Sequence, residues 1–423
     1  MSDTIAIVGA GHAAGELASA LRQGGHEGRI VMVGEERWLP YQRPPLSKGY
    51  LSSAGEIDGL YLRPQATFDS ARIEFIGATR VVSIDRAGKA LVLSDGMRLA
   101  YDRLAIATGT RVRRLATVDA ARADVAPNVH YLRSFDDLVR LRPQFVAGRH
   151  VTIVGGGYIG LEVASAAVKQ ALSVTVFEAA ARVLARVTAP EISAFYEQLH
   201  RTAGVDLRTG VAVRGFEFDA DGCVTAVRCR LAGAADDFLV ATDLVVVGIG
   251  VVPNSELAAA AGLAVNDGIV VDETTRTSDP DIVAAGDCTR HPNVIVGRDV
   301  RLESVPNAVE QARAAAATLC GQARPYRTVP WFWSDQYDLK LQMVGLSHGY
   351  DRLVLRGDPA LRSFTAFYLH DGLVVAADCV GRPKEFMLSK RIVAARVPAS
   401  PESLADESFD LKSLVPANEA IRS

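Results

Sequence analysis

Short apolar runs alternate with longer amphipathic stretches along most of the chain. Residues 4–33 show the order strand, glycine-rich turn, helix and strand, and residues 150–177 repeat that order. Apolar strands that alternate with helical stretches predict an α/β fold with parallel sheets. The repeat therefore predicts two βαβ units in one chain.

Elsewhere the pattern changes to strands joined by tight turns. The turn at residues 94–96, SDG, predicts a hairpin, and the run at 282–289, IVAAGDCT, predicts an apolar strand that ends in glycine and aspartate. From about Arg324 aromatic residues cluster and alternating strands such as SFTAFYL follow. This part indicates a smaller α+β domain, and the polar final residues are expected to be loosely held.

The first βαβ unit carries a glycine-rich turn of the kind that binds dinucleotides. Gly9 and Gly11 occupy the G-x-G positions, and Ala14 takes the third small position. Glycines here permit a tight turn and let the backbone approach a pyrophosphate at the helix N-terminus, where the helix dipole attracts anions. An acidic residue after the next strand is expected to bind a ribose, and Glu35 or Glu36 fills that position.

The second unit has the complete motif. Gly155, Gly157 and Gly160 form G-x-G-x-x-G, and Glu178 ends the following strand. A carboxylate there accepts hydrogen bonds from a ribose 2′-hydroxyl and repels a 2′-phosphate, so NADH is favoured over NADPH. Arg182 would instead favour NADPH, since a nearby arginine can bind a 2′-phosphate.

Two such turns predict two dinucleotide sites. One is expected to hold a nicotinamide cofactor and the other a second dinucleotide, for which FAD is the common choice. The protein would then supply orientation and electrostatics for electron transfer between the two rings.

Composition limits the function classes. The chain has 423 residues and a formal net charge of -3, so it is long enough for roughly two to three domains and has no bulk charge for nucleic acid. Its longest apolar runs, such as residues 244–253, are too short to span a bilayer. No basic leader precedes the first apolar strand, and a cytoplasmic location is expected.

The cysteines form no C-x-x-C pair; they are Cys223, Cys229, Cys288, Cys320 and Cys379. We therefore expect buried or incidental thiols, with no disulfide framework and no thiolate set for an iron-sulfur cluster. A dithiol mechanism is disfavoured. No metal site is predicted.

The order of motifs resembles one enzyme family over nearly the whole chain. It is similar to the FAD-dependent, NADH-oxidising ferredoxin reductases of bacterial monooxygenase and dioxygenase systems, of the putidaredoxin reductase type. The R-P-P-L-S-K and W-S-D-Q stretches are the most specific. The matching segments are VGAGHAAGELA (8–18), YQRPPLSKGYL (41–51), LAIATGTR (104–111), HYLRSFDD (130–137), VGGGYIGLEVA (154–164), IVAAGDC (282–288), ESVPNAVEQAR (303–313) and PWFWSDQYDLKLQMVG (330–345).

The resemblance implies a glutathione-reductase-like flavoprotein architecture of the α/β class. It would contain two Rossmann-like dinucleotide-binding domains, for FAD and NAD, and a C-terminal α+β domain. The FAD-binding domain would be discontinuous, with residues 1–112 and 247–323. The NAD-binding domain would comprise residues 113–246, and the C-terminal domain residues 324–423.

The resemblance also implies cofactor contacts. The FAD contacts would be Gly9, Gly11, Ala13, Ala14, Glu35, Arg43, Lys48, Val81, Thr108, Gly109, Arg133, Asp287, Val305 and Trp333. The NAD contacts would be Gly155, Gly157, Tyr158, Ile159, Gly160, Glu178 and Gly250. Asp287 would hold the ribityl chain of the flavin. Ala14 stands where glycine is usual, and alanine is tolerated at this position.

Three residues are implied in catalysis: Lys48, Glu162 and Trp333. Lys48 would stabilise negative charge on the reduced flavin, and Glu162 would pair with it near the nicotinamide. Trp333 would cover the flavin ring. The residues alone leave other interpretations open, namely a surface lysine, a glutamate that favours the helix dipole, and an ordinary core tryptophan.

The implied function is NADH-dependent reduction of a [2Fe-2S] ferredoxin, in which FAD accepts a hydride and passes single electrons on to serve an oxygenase. A haem-thiolate monooxygenase is expected rather than a Rieske dioxygenase. The alternatives are a rubredoxin or quinone reductase, an NADH oxidase, and a flavin-binding regulatory protein. We expect a monomer or weak dimer that binds neither nucleic acid nor membrane.

The resemblance implies an acidic ferredoxin, and its docking on this slightly acidic chain requires a local basic patch. Arg43 and Lys48 lie in the R-P-P-L-S-K stretch, and Arg111, Arg113 and Arg114 follow the ATG motif. These side chains are the predicted patch, although the three later arginines could equally form a solvated loop.

Overall fold

The structure, a computed structural model that describes residues 3–415, contains parallel and antiparallel sheets connected by helices and loops. The strands of this described part are β1 (Ile5–Val8), β2 (Ile30–Val33), β3 (Ile73–Ile76), β4 (Val81–Asp85), β5 (Ala90–Leu93), β6 (Arg98–Ala100), β7 (Arg103–Ile106), β8 (Thr110–Val112), β9 (Val129–Tyr131), β10 (His150–Val154), β11 (Ser173–Glu178), β12 (Asp206–Thr209), β13 (Val211–Phe218), β14 (Val224–Leu231), β15 (Phe238–Ala241), β16 (Leu244–Val247), β17 (Val251–Pro253), β18 (Ile269–Val270), β19 (Ile282–Ala284), β20 (Thr289–Asn293), β21 (Arg298–Val300), β22 (Trp331–Gln336), β23 (Leu339–Gly345), β24 (Arg352–Asp358), β25 (Ser363–His370) and β26 (Leu373–Val380). The α-helices are α1 (His12–Gln23), α2 (Gln65–Ser70), α3 (Ala120–Ala123), α4 (Phe135–Leu141), α5 (Tyr158–Lys169), α6 (Pro190–Thr202), α7 (Glu256–Ala260), α8 (Val305–Leu319), α9 (Pro383–Ala394) and α10 (Pro401–Ala405).

The chain divides into two compact units, each made of three segments. Unit 1 comprises the residues up to Gln42, Glu56–Arg111 and Val252–Phe332. Unit 2 comprises Arg43–Gly55, Val112–Val251 and the residues from Trp333. Residues 43–55, which lie inside the predicted FAD-binding segment, thus pack in unit 2. The assignment of domains to cofactors remains a prediction.

Unit 1 is built on a parallel sheet with the strand order β19-β7-β1-β2-β3. Its strands are apolar at successive positions because both faces of the sheet are covered. In β1, Ile5 and Ile7 pack into a core that includes residues of α1 and α8, whereas Ala6 and Val8 pack into a second core that includes residues of β5. The antiparallel sheet β4-β5-β6 contains the hairpin predicted at residues 94–96.

Unit 2 contains a second parallel sheet, with the order β12-β11-β10-β16-β9. An antiparallel sheet, β13-β14-β15, adds residues to the same apolar core, in which Val154 and Phe177 meet Phe216 and Val227. The C-terminal sheet of this unit has the order β22-β23-β26-β25-β24, and α9 packs against β23 and β26.

A buried arginine holds the last described residues. Arg356 in β24 is 5% exposed and donates to backbone carbonyl oxygens between Leu404 and Phe409. Its Nε also lies 3.1 Å from a carboxylate oxygen of Glu385. The polar residues 416–423 lie outside the described residues.

Both predicted βαβ units are present: β1, α1 and β2 lie within residues 4–33, and β10, α5 and β11 span residues 150–178, one residue beyond the predicted range. The helices α1 and α5 begin within the glycine motifs, because Gly11 and Gly157 are themselves the N-cap residues.

Candidate functional site

The first glycine turn has the geometry of a phosphate-binding loop. Gly9, directly after β1, has a φ of +113°, and a Cβ there would lie 2.2 Å from the carbonyl oxygen of Ala107. Gly11 caps α1, and a Cβ there would meet nothing within 4 Å. The backbone therefore requires glycine at the first position, and the second leaves open space before the helix N-terminus.

Other residues predicted to bind FAD surround this turn in unit 1. Ala13 and Ala14 are buried in the first turn of α1, and a Cβ on Gly286 would lie 3.1 Å from that of Ala13. Asp287 follows β19, and its Oδ2 accepts a hydrogen bond from Thr110 Oγ1 at 3.3 Å. Because parallel strands end at the same edge of a sheet, the two parts of the predicted split site lie at one edge.

A buried amide that sequence reasoning missed lies beside this edge. Gln311 in α8 is 0% exposed, and its Oε1 accepts the N–H of Gly286 at 2.8 Å and the hydroxyl of Thr289 at 2.9 Å. Its Nε2 has no hydrogen-bond partner among the described residues. A buried donor without a partner is costly, so this nitrogen is suited to an acceptor on a bound ligand.

Hydrogen bonds with Asn254 fix the ATG segment, residues 107–109. Thr108 Oγ1 donates to the carbonyl oxygen of Asn254 at 2.6 Å, and the N–H of Asn254 donates to the carbonyl oxygen of Gly109 at 2.9 Å. Of the other predicted FAD contacts in unit 1, Val81 lies in the apolar core and Val305 is the first residue of α8.

The candidate ribose acids differ in their surroundings. Glu36 Oε2 accepts the hydroxyl of Tyr41 at 2.6 Å. Glu35 is exposed, and its Oε1 lies 3.9 Å from Nε of the equally exposed Arg80. Glu35 therefore has the more accessible carboxylate, and its role remains a prediction.

The second glycine turn repeats the geometry of the first. Gly155 has a φ of +110°, and a Cβ there would lie 2.5 Å from the carbonyl oxygen of Gly248. Gly157 caps α5 and faces open space. A Cβ on Gly160 would lie 2.0 Å from the carbonyl oxygen of Gly155, so the third glycine is required for close packing of helix and strand.

Glu178 is held by the turn itself. Its Oε2 accepts the N–H of Gly156 and its Oε1 accepts the N–H of Ala180, both at 2.7 Å. Arg182 is already engaged, because its guanidinium donates to Ser193 Oγ at 2.6 Å and to a backbone carbonyl at 3.0 Å. The charged group next to the turn is therefore the carboxylate, which favours a ribose without a 2′-phosphate.

The remaining predicted NAD contacts lie at the start of α5 and after β16. The Tyr158 hydroxyl lies 2.7 Å from the sulfur of Met343, and burial raises the pKa of Tyr158 well above its usual value. Ile159 is 41% exposed. Gly250 has a φ of +99°, and a Cβ there would lie 3.4 Å from Arg186 Nη2.

Lys48 and Glu162 form a largely buried ion pair within unit 2. Lys48 Nζ lies 2.6 Å from Glu162 Oε1, with the side chains 19% and 2% exposed. Two hydroxyls complete the surroundings of the carboxylate: Ser47 Oγ donates to Oε2 at 2.6 Å, and Ser334 Oγ donates to Oε1 at 2.7 Å. One carboxylate thus receives three donors, which is what a buried charge requires.

Local sequence explains how the pair forms. Pro44–Ser47 is a 3₁₀ turn, because two prolines preset the backbone, and Lys48 follows directly. Glu162 lies in α5, one turn after its N-terminus. The predicted pairing is therefore present, and its catalytic role remains a prediction.

Three further predicted FAD contacts lie in unit 2. Arg43 Nη1 donates to the carbonyl oxygen of Arg133 at 2.8 Å, which joins two of them. Trp333 is half-buried in β22, and its side chain points to the opposite face of the strand from Ser334.

Comparison with known proteins gives the family. The pyridine nucleotide-disulphide oxidoreductase family matches residues 3–312, and the reductase C-terminal family matches residues 331–415. Putidaredoxin reductase CamA of Pseudomonas putida is 49% identical over 99% of this chain and 98% of its own. The chain belongs to the FAD-dependent NADH:ferredoxin reductases.

Solved structures agree with this assignment. The covalent putidaredoxin reductase–putidaredoxin complex matches with a TM-score of 0.93 and 48% identity, over 97% of this chain and 98% of that chain. The ferredoxin reductase of the CYP199A2 system from Rhodopseudomonas palustris matches with a TM-score of 0.93 and 44% identity, over 98% of this chain and 100% of that chain. The predicted fold class, enzyme class and cofactors FAD and NADH are confirmed.

The residues of this reductase fit both cofactors. In each unit the second glycine of the turn leaves open space at a helix N-terminus, and in unit 1 the unpaired Gln311 Nε2 offers a donor. The first turn and Asp287 would hold FAD, and the second turn and Glu178 would hold NADH.

The reductase has no dithiol beside either turn, in spite of the family's name. The five cysteines, all within the described residues, are free. Burial raises the pKa of Cys288, and raises those of Cys229 and Cys379 to about 12. Because the thiolate is the nucleophile, these thiols are inert.

Within residues 3–415, no three His, Cys, Asp or Glu side chains are grouped so that they could hold a metal ion. No helix in the same range combines the length and the apolar character needed to cross a bilayer.

Proposed function

We propose that this reductase passes electrons from NADH, through FAD, to a [2Fe-2S] ferredoxin that serves a haem-thiolate monooxygenase. FAD supplies the conversion of a hydride into single-electron steps. The ferredoxin is supported by the likeness to putidaredoxin reductase, and the oxygenase class by the likeness to the reductase of the CYP199A2 system. A cytoplasmic location and a monomeric or weakly dimeric state remain predictions.

The observation that carries the proposal is the buried pair of Lys48 and Glu162. Hydride arrival leaves negative charge on a flavin, and a preorganised ammonium stabilises such charge strongly where water is excluded. Lys48 is proposed as this cationic group and Glu162 as its anchor near the nicotinamide. Trp333 is proposed to cover the flavin ring.

Single-turnover reduction by NADH tests this assignment. Lys48→Ala should slow flavin reduction by about tenfold or more, because the loss of a charge contact worth about 1.4 kcal/mol in the transition state has that effect. Lys89→Ala is the matched control, since Lys89 also forms a 2.6 Å ion pair, with Asp281, but is 45% exposed. An unchanged rate in Lys48→Ala with full FAD content would contradict the proposal.

We also propose that the arginines after the ATG motif contribute to ferredoxin docking. Arg113 and Arg114 are exposed, and Arg113 forms no ion pair with any residue in the described part of the chain. Arg114 lies 3.6 Å from Asp124 and 4.2 Å above the ring of Tyr131. Arg111 is paired with a glutamate at 2.6 Å, so Arg113 has the charge most available to a partner.

Charge reversal tests the docking surface. Arg113→Glu with Arg114→Glu should lower the association rate with a [2Fe-2S] ferredoxin and weaken its salt dependence, while the rate of flavin reduction by NADH stays as in wild type. Arg352→Glu, at another exposed arginine of unit 2, is the control. A wild-type rate of ferredoxin reduction by the double variant at low salt would mean that the partner binds elsewhere. Faster turnover of the wild-type enzyme with rubredoxin, quinone or oxygen than with ferredoxin would favour the alternative acceptors.

A further inference from the structure

A line of buried hydrogen bonds leads away from the Glu162 carboxylate. Ser334 Oγ donates to Glu162 Oε1 at 2.7 Å and accepts from Gln336 Nε2 at 3.2 Å. Gln336 Oε1 lies 2.9 Å from His200 Nε2, and His200 Nδ1 lies 3.0 Å from the Tyr337 hydroxyl. The three middle residues are each 0% exposed, and Tyr337 is half-buried.

One assignment of hydrogens satisfies the whole line. The Ser334 hydroxyl hydrogen is used by the carboxylate, so the Gln336 amide nitrogen must donate to Ser334 and its oxygen must face His200. Burial lowers the pKa of His200 to about 4, although its hydrogen bond with Gln336 acts in the opposite direction, so the ring is neutral near pH 7. Its hydrogen then lies on Nε2, and Nδ1 accepts from Tyr337. Every donor therefore points toward Glu162.

Two sequence periodicities place these groups together. The serine and glutamine of the line are two residues apart in β22 and share a face. In α5, Glu162, Ser165 and Lys169 lie on one helix face. Ser165 Oγ accepts the N–H of Tyr337 at 2.6 Å, and Lys169 Nζ donates to the Tyr337 carbonyl oxygen at 2.7 Å. The helix face that carries Glu162 thus also holds the turn after β22.

We propose that Ser334, Gln336, His200 and Tyr337 are positioning residues that hold the Glu162 carboxylate, and with it the neighbouring ammonium, in one orientation. The inference rests on the proposed role of that ion pair in flavin reduction. A line of polarised hydrogen bonds in which each side chain has a partner specifies a single geometry, whereas apolar packing alone would leave the carboxylate with fewer donors and more freedom.

Kinetic coupling tests the proposal in the FAD-loaded enzyme. Ser334→Ala should slow flavin reduction by NADH by about five- to tenfold in the wild-type background, and by less than about twofold in Glu162→Gln, because the two changes remove one interaction. Ser389→Ala is the matched control: Ser389 is also 0% exposed, and its hydroxyl donates to a backbone carbonyl of α9 at 2.8 Å. It should leave the rate unchanged.

A second readout does not depend on activity. ¹⁵N NMR of the intact protein should show His200 as the neutral tautomer with hydrogen on Nε2, assigned by loss of the signal in His200→Gln. Tyr337→Phe removes the donor to Nδ1 and should shift the Nδ1 resonance while slowing flavin reduction by about two- to threefold.

The outcomes separate the two proposals. Hydrogen on Nδ1 of His200, or equal effects of Ser334→Ala in both backgrounds, would overturn the positioning role. Slowed flavin reduction in Lys48→Ala together with a wild-type rate in Ser334→Ala would also overturn only the positioning role. An unchanged rate in Lys48→Ala would overturn the proposed function of the ion pair itself.

Discussion

The stability of this reductase should depend on pH through one buried carboxyl group. Asp378 in β26 is 3% exposed, and its Oδ2 accepts the hydroxyls of Tyr368 at 2.6 Å and Thr188 at 2.5 Å. Burial raises the pKa of Asp378 from 3.8 to about 6, although both hydrogen bonds act in the opposite direction. The folded chain should therefore keep a proton on Asp378 at pH values where the unfolded chain has lost it.

The sign and size of the effect follow from this difference. The folded state binds more protons between the two pKa values, so the free energy of unfolding falls as the pH rises through about 4 to 6, and the penalty is fully present above that range. At about 1.4 kcal/mol per pKa unit the penalty reaches about 3 kcal/mol near pH 7. About 2 kcal/mol of it should develop between roughly pH 4.5 and pH 7.

Asp378→Asn provides the comparison, because it abolishes the titration and keeps an acceptor for both hydroxyls. Urea unfolding of the FAD-loaded proteins should show the wild type losing about 2 kcal/mol relative to Asp378→Asn over that pH range. Asp338→Asn is the control, because Arg362 lowers the pKa of the exposed Asp338. The contribution of Asp338 to the free energy of unfolding should therefore change with pH in the opposite direction, and the change should be small because solvent screens the pair. Parallel pH profiles for wild type and Asp378→Asn would refute the reasoning.

Three further outcomes are expected. Gly9→Ala should abolish FAD binding, because a Cβ would lie 2.2 Å from the Ala107 carbonyl oxygen; flavin absorbance of the purified protein checks this, and the wild type should release FAD rather than FMN on denaturation. Glu178→Ala should narrow the preference for NADH over NADPH in kcat/KM, and equal values in the unmodified enzyme would contradict the role of Glu178. Arg356→Ala should lower the free energy of unfolding by about 3 kcal/mol and expose residues 401–415 to limited proteolysis, because several carbonyl oxygens lose their buried donor, whereas Glu385 keeps its pairing with Arg382. Arg352→Ala is the exposed control, and equal protection in both variants would contradict the anchoring role.

The amino-acid sequence by itself determined the two βαβ units, their glycine turns and the acids that follow them. These features are local: an apolar run, a glycine with positive φ and a helix start lie within a few residues of each other. Gly9 and Gly155 could be found because only glycine tolerates their backbone angles beside a neighbouring carbonyl group. Lys48 and Glu162 were named through the resemblance of their motifs, since no local rule relates a proline-rich turn to a helix 114 residues later.

Only the tertiary structure decided what surrounds Glu162. Ser334 is 172 residues away from it in the chain, and His200 is 136 residues from Gln336, so no periodicity connects them. Ser334 and Gln336, polar residues at alternate positions of a strand that begins with aromatic residues, were the available signal, and it does not identify a partner. The unpaired amide of Gln311 and the raised pKa of Asp378 have the same origin: burial is created by packing between distant segments, and the sequence around each residue carries no record of which groups will exclude water from it.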